Sequence, residues 1–273
     1  CEEFPTRIAA YISDFDAGEY IDKKQARRLD PFISYSIVAG KKALEHAGIT
    51  GDVDAALDKK RCGILVGSGM GGMTAFTNGI RNLYEKSYKK VSPFFIPYTI
   101  SNMGGALLAI EVGFMGPNYN ISTACATANH CIIAAAKHIQ FGDADVMICG
   151  GTEASVTPIG LAGFCACKAL SQNNENPNHA SRPWDKQRDG FVMGEGAGVL
   201  VLESLEHAQR RGATIYGEYR GGAISCDAYH MTSPREDGEG VAMCIQQALD
   251  NAGLAPEDID YISPHATSTP AGD

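Results

Sequence analysis

Hydrophobic and polar positions along this chain alternate between short apolar runs and longer mixed stretches, the pattern of an α/β protein. Residues 33–46 read as a helix, with Gly48 as its stop. Residues 62–66 form a short, continuously apolar run, which predicts a buried strand. A glycine loop follows, then a helix over about 74–84 and an apolar helix over 101–112. The stretch Asn118 to Ser122 reads as strand-like and ends in the small residues around Cys125. The following run, 132–139, is apolar nearly all round and predicts a buried helix. Asp145-Val146-Met147-Ile148-Cys149 has the composition of a buried, parallel-type strand. Residues 198–203 predict another strand and 205–211 a helix. Residues 171–190 form a long polar loop, and long loops in compact domains are often functional.

A faint internal repeat adds to this. Ala43-Leu44-Glu45-His46-Ala47-Gly48-Ile49 resembles Ala248-Leu249-Asp250-Asn251-Ala252-Gly253-Leu254. Each copy precedes an acidic loop and a run with strand character, Gly63 to Val66 in one and Asp260 to Ser263 in the other. The repeat points to a duplicated α/β unit.

With 273 residues, 44% hydrophobic and 31 of them Gly, the chain can bury a substantial core. No run reaches membrane-spanning length and no signal segment opens the sequence. Residue 1 is Cys, not Met, and the sequence stops at Asp273 within motif-like sequence, so a fragment is expected. A net charge of −9 argues against nucleic acid as the main partner. Positive residues still cluster, at Lys23-Lys24 with Arg27-Arg28 and at Lys89-Lys90; by itself such a cluster reads as a solvated face.

The chemistry-bearing candidates start with the 9 cysteines, whose scattered odd number favours a reducing compartment. Cys131, Cys149 and Cys244 fall in apolar segments and read as core. Cys165 and Cys167 lack a partner pair at zinc-like spacing, so no metal site is expected. Cys125 differs, because it stands where a strand-like run meets a helix start. Backbone N–H groups and the positive helix end converge there, and both favour a thiolate. Two readings stand for it, inert packing and nucleophile. Gly67-Ser68-Gly69-Met70-Gly71-Gly72 matches G-x-G-x-x-G between a strand and a helix. The acidic second strand of a dinucleotide site is absent, which favours a tight turn under close packing. Gly194-Glu195-Gly196-Ala197-Gly198 leads into a strand, which argues against a phosphate loop. His265, past residues 259–263 and among three hydroxyl side chains, is the natural partner for Cys125.

Together these pieces resemble the β-ketoacyl-acyl-carrier-protein synthases of the elongating type, which are thiolase-like condensing enzymes. The resemblance rests on Gly67 to Gly72, Ser92-Pro93-Phe94-Phe95-Ile96-Pro97, Gly116-Pro117-Asn118 through Cys125, and Gly150-Gly151-Thr152-Glu153. It continues through Ser181-Arg182-Pro183-Trp184-Asp185, Arg188-Asp189-Gly190-Phe191, Ala228-Tyr229-His230-Met231-Thr232 and His265 to Asp273. His265-Ala266-Thr267-Ser268-Thr269 and Met115 to Tyr119 are most similar to plastid members.

The resemblance implies a five-layered α-β-α-β-α fold built from a duplicated α/β unit and truncated here at both ends. Residues 1–215 would be the N-terminal half with the nucleophile, and 216–273 the start of the C-terminal half. It implies that Cys125 takes an acyl group from acyl-carrier protein. Malonyl-carrier protein then loses carbon dioxide, and its carbanion attacks the acyl carbonyl to add two carbons. His265 would hold the malonyl thioester oxygen as negative charge develops, and the Cys125 N–H would give half of an oxyanion hole. Met70, Phe95 and Phe164 match an acyl tunnel, so the glycine loop becomes tunnel wall and no nicotinamide is implied. Thr232, Ser233, Thr267 and Thr269 match hydroxyls that contact the carrier's phosphopantetheine arm. Lys24, Arg27, Arg28, Lys89, Lys90 and Lys168 match the face that receives the acidic carrier protein. No cofactor and no metal belong to the enzyme, since the phosphopantetheine arm is the substrate's. A homodimer in full length, a chloroplast location, and neither nucleic-acid binding nor membrane insertion complete the expectation. A second histidine with a preceding lysine, and a second oxyanion donor, would fall past Asp273, so 1–273 alone is expected to be inactive. Ser263-Pro264 departs from the family's usual Asn-Ala before the histidine. The rival reading is a non-catalytic homologue that binds carrier protein without condensing.

Overall fold

The computed structural model describes residues 3–273. In chain order its elements are α1 (Lys23–Ala26), α2 (Pro31–His46), α3 (Gly51–Ala55), β1 (Cys62–Gly67), α4 (Met73–Glu85) and α5 (Phe95–Thr99). They continue with α6 (Met103–Val112), α7 (Thr127–Gln140), β2 (Val146–Glu153), α8 (Pro158–Ala166), β3 (Gly196–Glu203), α9 (Leu205–Arg210) and α10 (Glu239–Ala252). The chain divides into two compact units.

The first unit comprises Tyr11–Thr157 and Gly194–Gly217. It is organised by a sheet in the order β1-β2-β3, with β1 parallel to β2 and β3 antiparallel to it. Ile64 faces Ile148 across the first pairing, and Ile148 faces Val201 across the second. Successive strand residues point to opposite faces, and the two clusters of core side chains divide accordingly. Ile64, Val66, Val146 and Ile148 join Phe32, Ile33 and Ile37 of α2 and Leu108 of α6. Leu65, Met147 and Cys149 join Cys131 and Ala135 of α7. Covering both faces explains why β1 and the start of β2 are apolar without alternation. Each fully buried Ile or Leu contributes roughly 2 kcal/mol over leaving it in water. Arg61 ties the entry of this pair, its Nε 2.5 Å and Nη2 2.8 Å from the Asp145 carboxylate.

Local signals set the helix limits. Asp30 caps α2 by accepting the Phe32 N–H at 3.3 Å, Pro31 opens the helix, and Gly48 ends it at φ +70°. α7 departs from the all-round burial expected of it. It buries only the stripe Thr127, Cys131, Ala135 and Ala136, and leaves Ile132 and Ile133 half-buried. The expected strand over Asn118 to Ser122 is reduced to a single parallel bridge between Asn118 and Ile64.

The second unit comprises the N-terminal segment up to Ala10, Pro158–Met193 and Glu218–Asp273. α10 is held through Ser225 Oγ, 2.8 Å from the Gly240 carbonyl, and Asn251 Nδ2, 3.0 Å from the Gly222 carbonyl. Cys244, expected in the core, is half-buried and donates to the Ala223 carbonyl at 3.4 Å. The repeat holds for the helix and its glycine stop, with Gly253 at φ +65° as the counterpart of Gly48. It fails at the strand. Residues 259–263 form no regular strand, and Tyr261 and Ile262 are 82% and 70% exposed. Cys1 lies outside the described residues.

Candidate active site

The sequence places the Cys125 segment by small residues and hydroxyls. Cys125 sits in a 3-10 turn, Ala124–Ala126, that runs directly into α7. Ala124 before it holds φ +49°, a left-handed conformation that costs a non-glycine residue energy and marks a sharp reversal. Thr127 braces the turn, its Oγ1 accepting the Thr123 N–H at 2.9 Å. Thr123 Oγ1 lies 2.8 Å from Nδ1 of His130, one turn along α7. No side chain caps the start of α7 among the described residues, and the Thr127 N–H bonds the Ala124 carbonyl, which carries the 3-10 turn into the helix. Cys125 is exposed, whereas Cys62, Cys131 and Cys149 are buried. Burial pushes the Cys62 thiol up to about 11 and that of Cys149 to about 12, which keeps both as inert thiols.

The glycine loop lies against this turn. Gly67 must be glycine, because a Cβ there would collide with the Ile121 carbonyl and the Thr127 methyl. Asn120 Oδ1 accepts the Ser68 N–H at 3.3 Å, and Ser122 Oγ donates to the Gly69 carbonyl at 3.2 Å. The N–H groups that a phosphate would use are already occupied. Glu153, the last residue of β2, accepts the Gly69 N–H at 2.9 Å and the Met70 N–H at 3.3 Å. It also accepts the hydroxyls of Ser68 and Ser155, each at 3.1 Å. Past the loop, Asp30 accepts the Ala75 N–H at 2.8 Å in the first turn of α4. Burial raises the Asp30 carboxyl to about 6, against the pull of the N–H groups of Ala75, Phe32 and Thr74, and nearby Glu153 raises it further. The sequence reading gave no role to Glu153, Asp30 or His130. The available signal was a glutamate closing an otherwise apolar strand.

His265 belongs to the second unit and is exposed. The residues after it are tightly held. Ala266 and Ser268 take φ +43° and +64°. Buried Ser268 accepts the Gly190 N–H on its carbonyl at 2.9 Å and the Arg182 N–H on its hydroxyl at 3.0 Å. Arg188 Nε donates to the Thr269 carbonyl at 3.0 Å and lies 3.4 Å from the Asp273 carboxylate. The long polar loop therefore grips the segment that follows His265. Thr267 and Thr269 pair through their hydroxyls at 2.9 Å. Thr232 and Ser233 are exposed and turn their N–H groups to His230 Nδ1, at 3.2 and 3.1 Å.

The remaining candidates divide between the units. In the first, Met70 is 48% exposed at the loop tip, and Phe95 stacks on Phe76 with centroids 6.0 Å apart. In the second, Phe164 meets Phe191 edge-on at 5.6 Å. Lys24, Arg27, Arg28, Lys89 and Lys90 are all exposed on the first unit, and Lys168, at φ +55°, is exposed on the second.

Cys125 stands exposed at a strained turn before α7 in the first unit, and His265 stands exposed in the second. Residues 3–208 match the family described as beta-ketoacyl synthase, N-terminal domain, and residues 216–273 match its C-terminal domain. The chain belongs to the beta-ketoacyl synthase family. It is 62% identical over 271 residues to 3-oxoacyl-[acyl-carrier-protein] synthase I, chloroplastic, of Arabidopsis thaliana, covering 99% of this chain and 57% of that protein. Synthase II, chloroplastic, of the same plant is 58% identical over 273 residues, covering 100% of this chain and 50% of the relative. The chain thus spans between half and about two thirds of the length of its curated relatives. Among solved structures, a beta-ketoacyl synthase from Burkholderia phymatum has a TM-score of 0.91 at 32% identity, covering 99% of this chain and 65% of that one. A ketosynthase in complex with its type II PKS acyl-carrier protein, bound to the hexaketide, has a TM-score of 0.88 at 28% identity, over 99% and 64%. The fold class is therefore the thiolase-like fold of the ketosynthases. No described helix is long and apolar enough to cross a membrane.

Proposed function

We propose that the protein carrying this chain condenses malonyl-acyl-carrier protein with an acyl group held on Cys125. The acyl group passes from the carrier's thioester to the Cys125 sulfur. Malonyl-carrier protein then releases carbon dioxide, and the carbanion attacks the acyl carbonyl. The Cys125 thiolate leaves, and the product is a β-ketoacyl-carrier protein two carbons longer. One observation carries this reading. Cys125 is an exposed thiol between a strained turn and an uncapped helix start, while the thiols of the sheet and of the inner face of α7 are buried.

On this reading His265 stabilises the developing enolate oxygen, and the Cys125 N–H stabilises the acyl oxyanion. Met70, Phe95 and Phe164 line the acyl chain, and Thr232, Ser233, Thr267 and Thr269 meet the phosphopantetheine arm, which belongs to the substrate. Lys24, Arg27, Arg28, Lys89, Lys90 and Lys168 receive acyl-carrier protein. Residues 1–215 form the half with the nucleophile, and 216–273 begin the half with His265. A second copy of the chain is a partner. Phe76, Ile80 and Leu83, at helical spacing on α4, expose 45%, 41% and 45% of their surface and support such a contact. The chloroplastic relatives support the plastid stroma as the location.

The test is to supply acyl- and malonyl-carrier proteins to the protein as its whole gene encodes it. One carbon dioxide and one lengthened acyl group per turnover are expected. Failure to lengthen the acyl chain overturns the reading.

A further inference from the structure

Four hydrogen bonds converge on the Glu153 carboxylate, more than on any other candidate side chain of the first unit's site. Its four donors are the Gly69 and Met70 N–H groups and the Ser68 and Ser155 hydroxyls. Three of them lie on the glycine loop. The Ser68 hydroxyl oxygen in turn accepts the Gly71 N–H at 2.9 Å, so N–H groups 69, 70 and 71 all depend on this arrangement. A carboxylate oxygen can accept more than one hydrogen bond, and all four partners here can donate. Glu153 also closes β2, the middle strand, where its backbone pairs with Gly196 of β3.

The loop passes that order on to the nucleophile. A Cβ on Gly69 would stand 3.0 Å from Glu153 Oε2 and 3.6 Å from the Cα of Ala124, so the loop backbone is wedged between carboxylate and elbow. Ser122 is tied to the Gly69 carbonyl and Asn120 to the Ser68 N–H. Both belong to the short segment that delivers Ala124 at φ +49°. A strained residue keeps its conformation only when its surroundings over-determine it, and this side of Ala124 is supplied by the loop.

We infer that Glu153 is a positioning residue for the nucleophile elbow, setting through the glycine loop the direction of the Cys125 N–H and thiol. The inference rests on the acyl-transfer reading of Cys125. Glu153 touches no reacting atom. Its effect should fall on the step that needs an aimed N–H donor, attack on a thioester carbonyl. It should spare simple alkylation of the thiol, which develops no oxyanion.

The experiment compares E153Q with the unaltered protein, both from the whole gene. Gln keeps the length but places an amide NH₂ among donors, so one bond is lost and one repulsion appears. Expected are a fall of about 10- to 100-fold in kcat for acyl loading, approaching the loss of an oxyanion donor, with the KM for acyl-carrier protein within about twofold. Alkylation of Cys125 by iodoacetamide should also stay within about twofold. Loading at the parental rate overturns the inference, as does a parallel fall in alkylation and loading, which marks a collapsed site. If E153Q does not fold, S122A decides. It cuts the exposed tie between loop and elbow and should lower loading at least threefold with alkylation retained; parental loading then overturns the inference. An unaltered protein that takes no acyl group overturns both this inference and the reading beneath it.

Discussion

The two copies of the helix–glycine–strand repeat behave differently within one chain. In the first, α2 ends at Gly48 and leads to β1, where Ile64, Leu65 and Val66 are fully buried between β2 and the helices on either face. In the second, α10 ends at Gly253 in the same left-handed conformation, yet residues 259–263 stay irregular and exposed. Helix and stop are local features, coded by capping residues and a single φ angle. A strand is not local, since its N–H and C=O groups need a neighbour. Among the described residues β1 has β2, and 259–263 joins no strand. The comparison separates what a short sequence specifies by itself from what it specifies only in company.

The sharpest test of the division compares two cysteines. Cys125 stands exposed at the elbow of the first unit, and Cys165 is half-buried in α8 of the second. Cys125→Ala should abolish the acyl adduct seen by intact-protein mass spectrometry after exposure to acyl-carrier protein. Cys165→Ala should leave it at parental level. An adduct that survives in Cys125→Ala moves the nucleophile out of the first unit.

The next test concerns packing. Ile64→Ala removes a side chain with no exposed surface and leaves a cavity between α2, α6 and β2, at a cost of about 2–5 kcal/mol. Ile262→Ala, on a side chain 70% exposed, should change stability by less than about 0.5 kcal/mol. Urea unfolding of the 273-residue chain measures both. Equal losses would mean that 259–263 is packed like β1.

The same contrast explains what could be read from the sequence. The helices over 33–46, 74–84 and 101–112 and the strands at 62–66, 145–149 and 198–203 are legible because apolar runs and caps are local, and so is the Cys125 turn, marked by small residues before a helix; α1, α3, α5 and α8 escape that reading, and 118–122 gives only a bridge. Burial of α7 is overestimated by its composition, because Ile132 packs only at the edge of the buried cluster and Ile133 is likewise half-buried. The roles of Glu153 and Asp30 were invisible. Each depends on backbone N–H groups brought from residues 83–84 and 45 positions away, and no spacing rule encodes that. The strand at 259–263 is expected from its place in the repeat, and the repeat does not carry the neighbour it needs.

Asp30 provides a pH test confined to the first unit. Its carboxyl is raised from an ordinary 3.8 to about 6, chiefly by burial. The folded state therefore holds the proton more tightly than the unfolded one. The resulting stability is fully present below pH 3.8, develops as pH falls through 6, and is lost as pH rises above it. The difference corresponds to about 3 kcal/mol across that window. Asp30→Asn keeps an oxygen to cap α2 and removes the titration. Unfolding free energies from pH 7.5 to 5 should rise more steeply with acid for the parent than for the variant. Parallel curves would show that Asp30 does not titrate in this range.

The smallest effect concerns the basic face, and it asks whether the two units contribute alike to docking. Arg27 and Lys89 lie on the first unit and Lys168 on the second, and all three side chains are exposed. Single exposed charges contribute about 0.2–1 kcal/mol to an ion pair. Reversing Arg27 and Lys89 together should therefore raise the KM for acyl-carrier protein about three- to tenfold. Turnover of small acyl-thioester mimics, which lack the acidic carrier, should be nearly unchanged. Because the attraction is screened over about 10 Å at 0.1 M salt, the defect should shrink as ionic strength rises. Lys168→Glu, measured alongside, should raise the same KM about two- to threefold if the second unit shares the docking surface. A KM unmoved by Lys168→Glu would confine docking to the first unit. Equal losses on carrier-bound and small substrates in the Arg27 and Lys89 variant would mean that these residues support the fold of the first unit and do not receive the carrier.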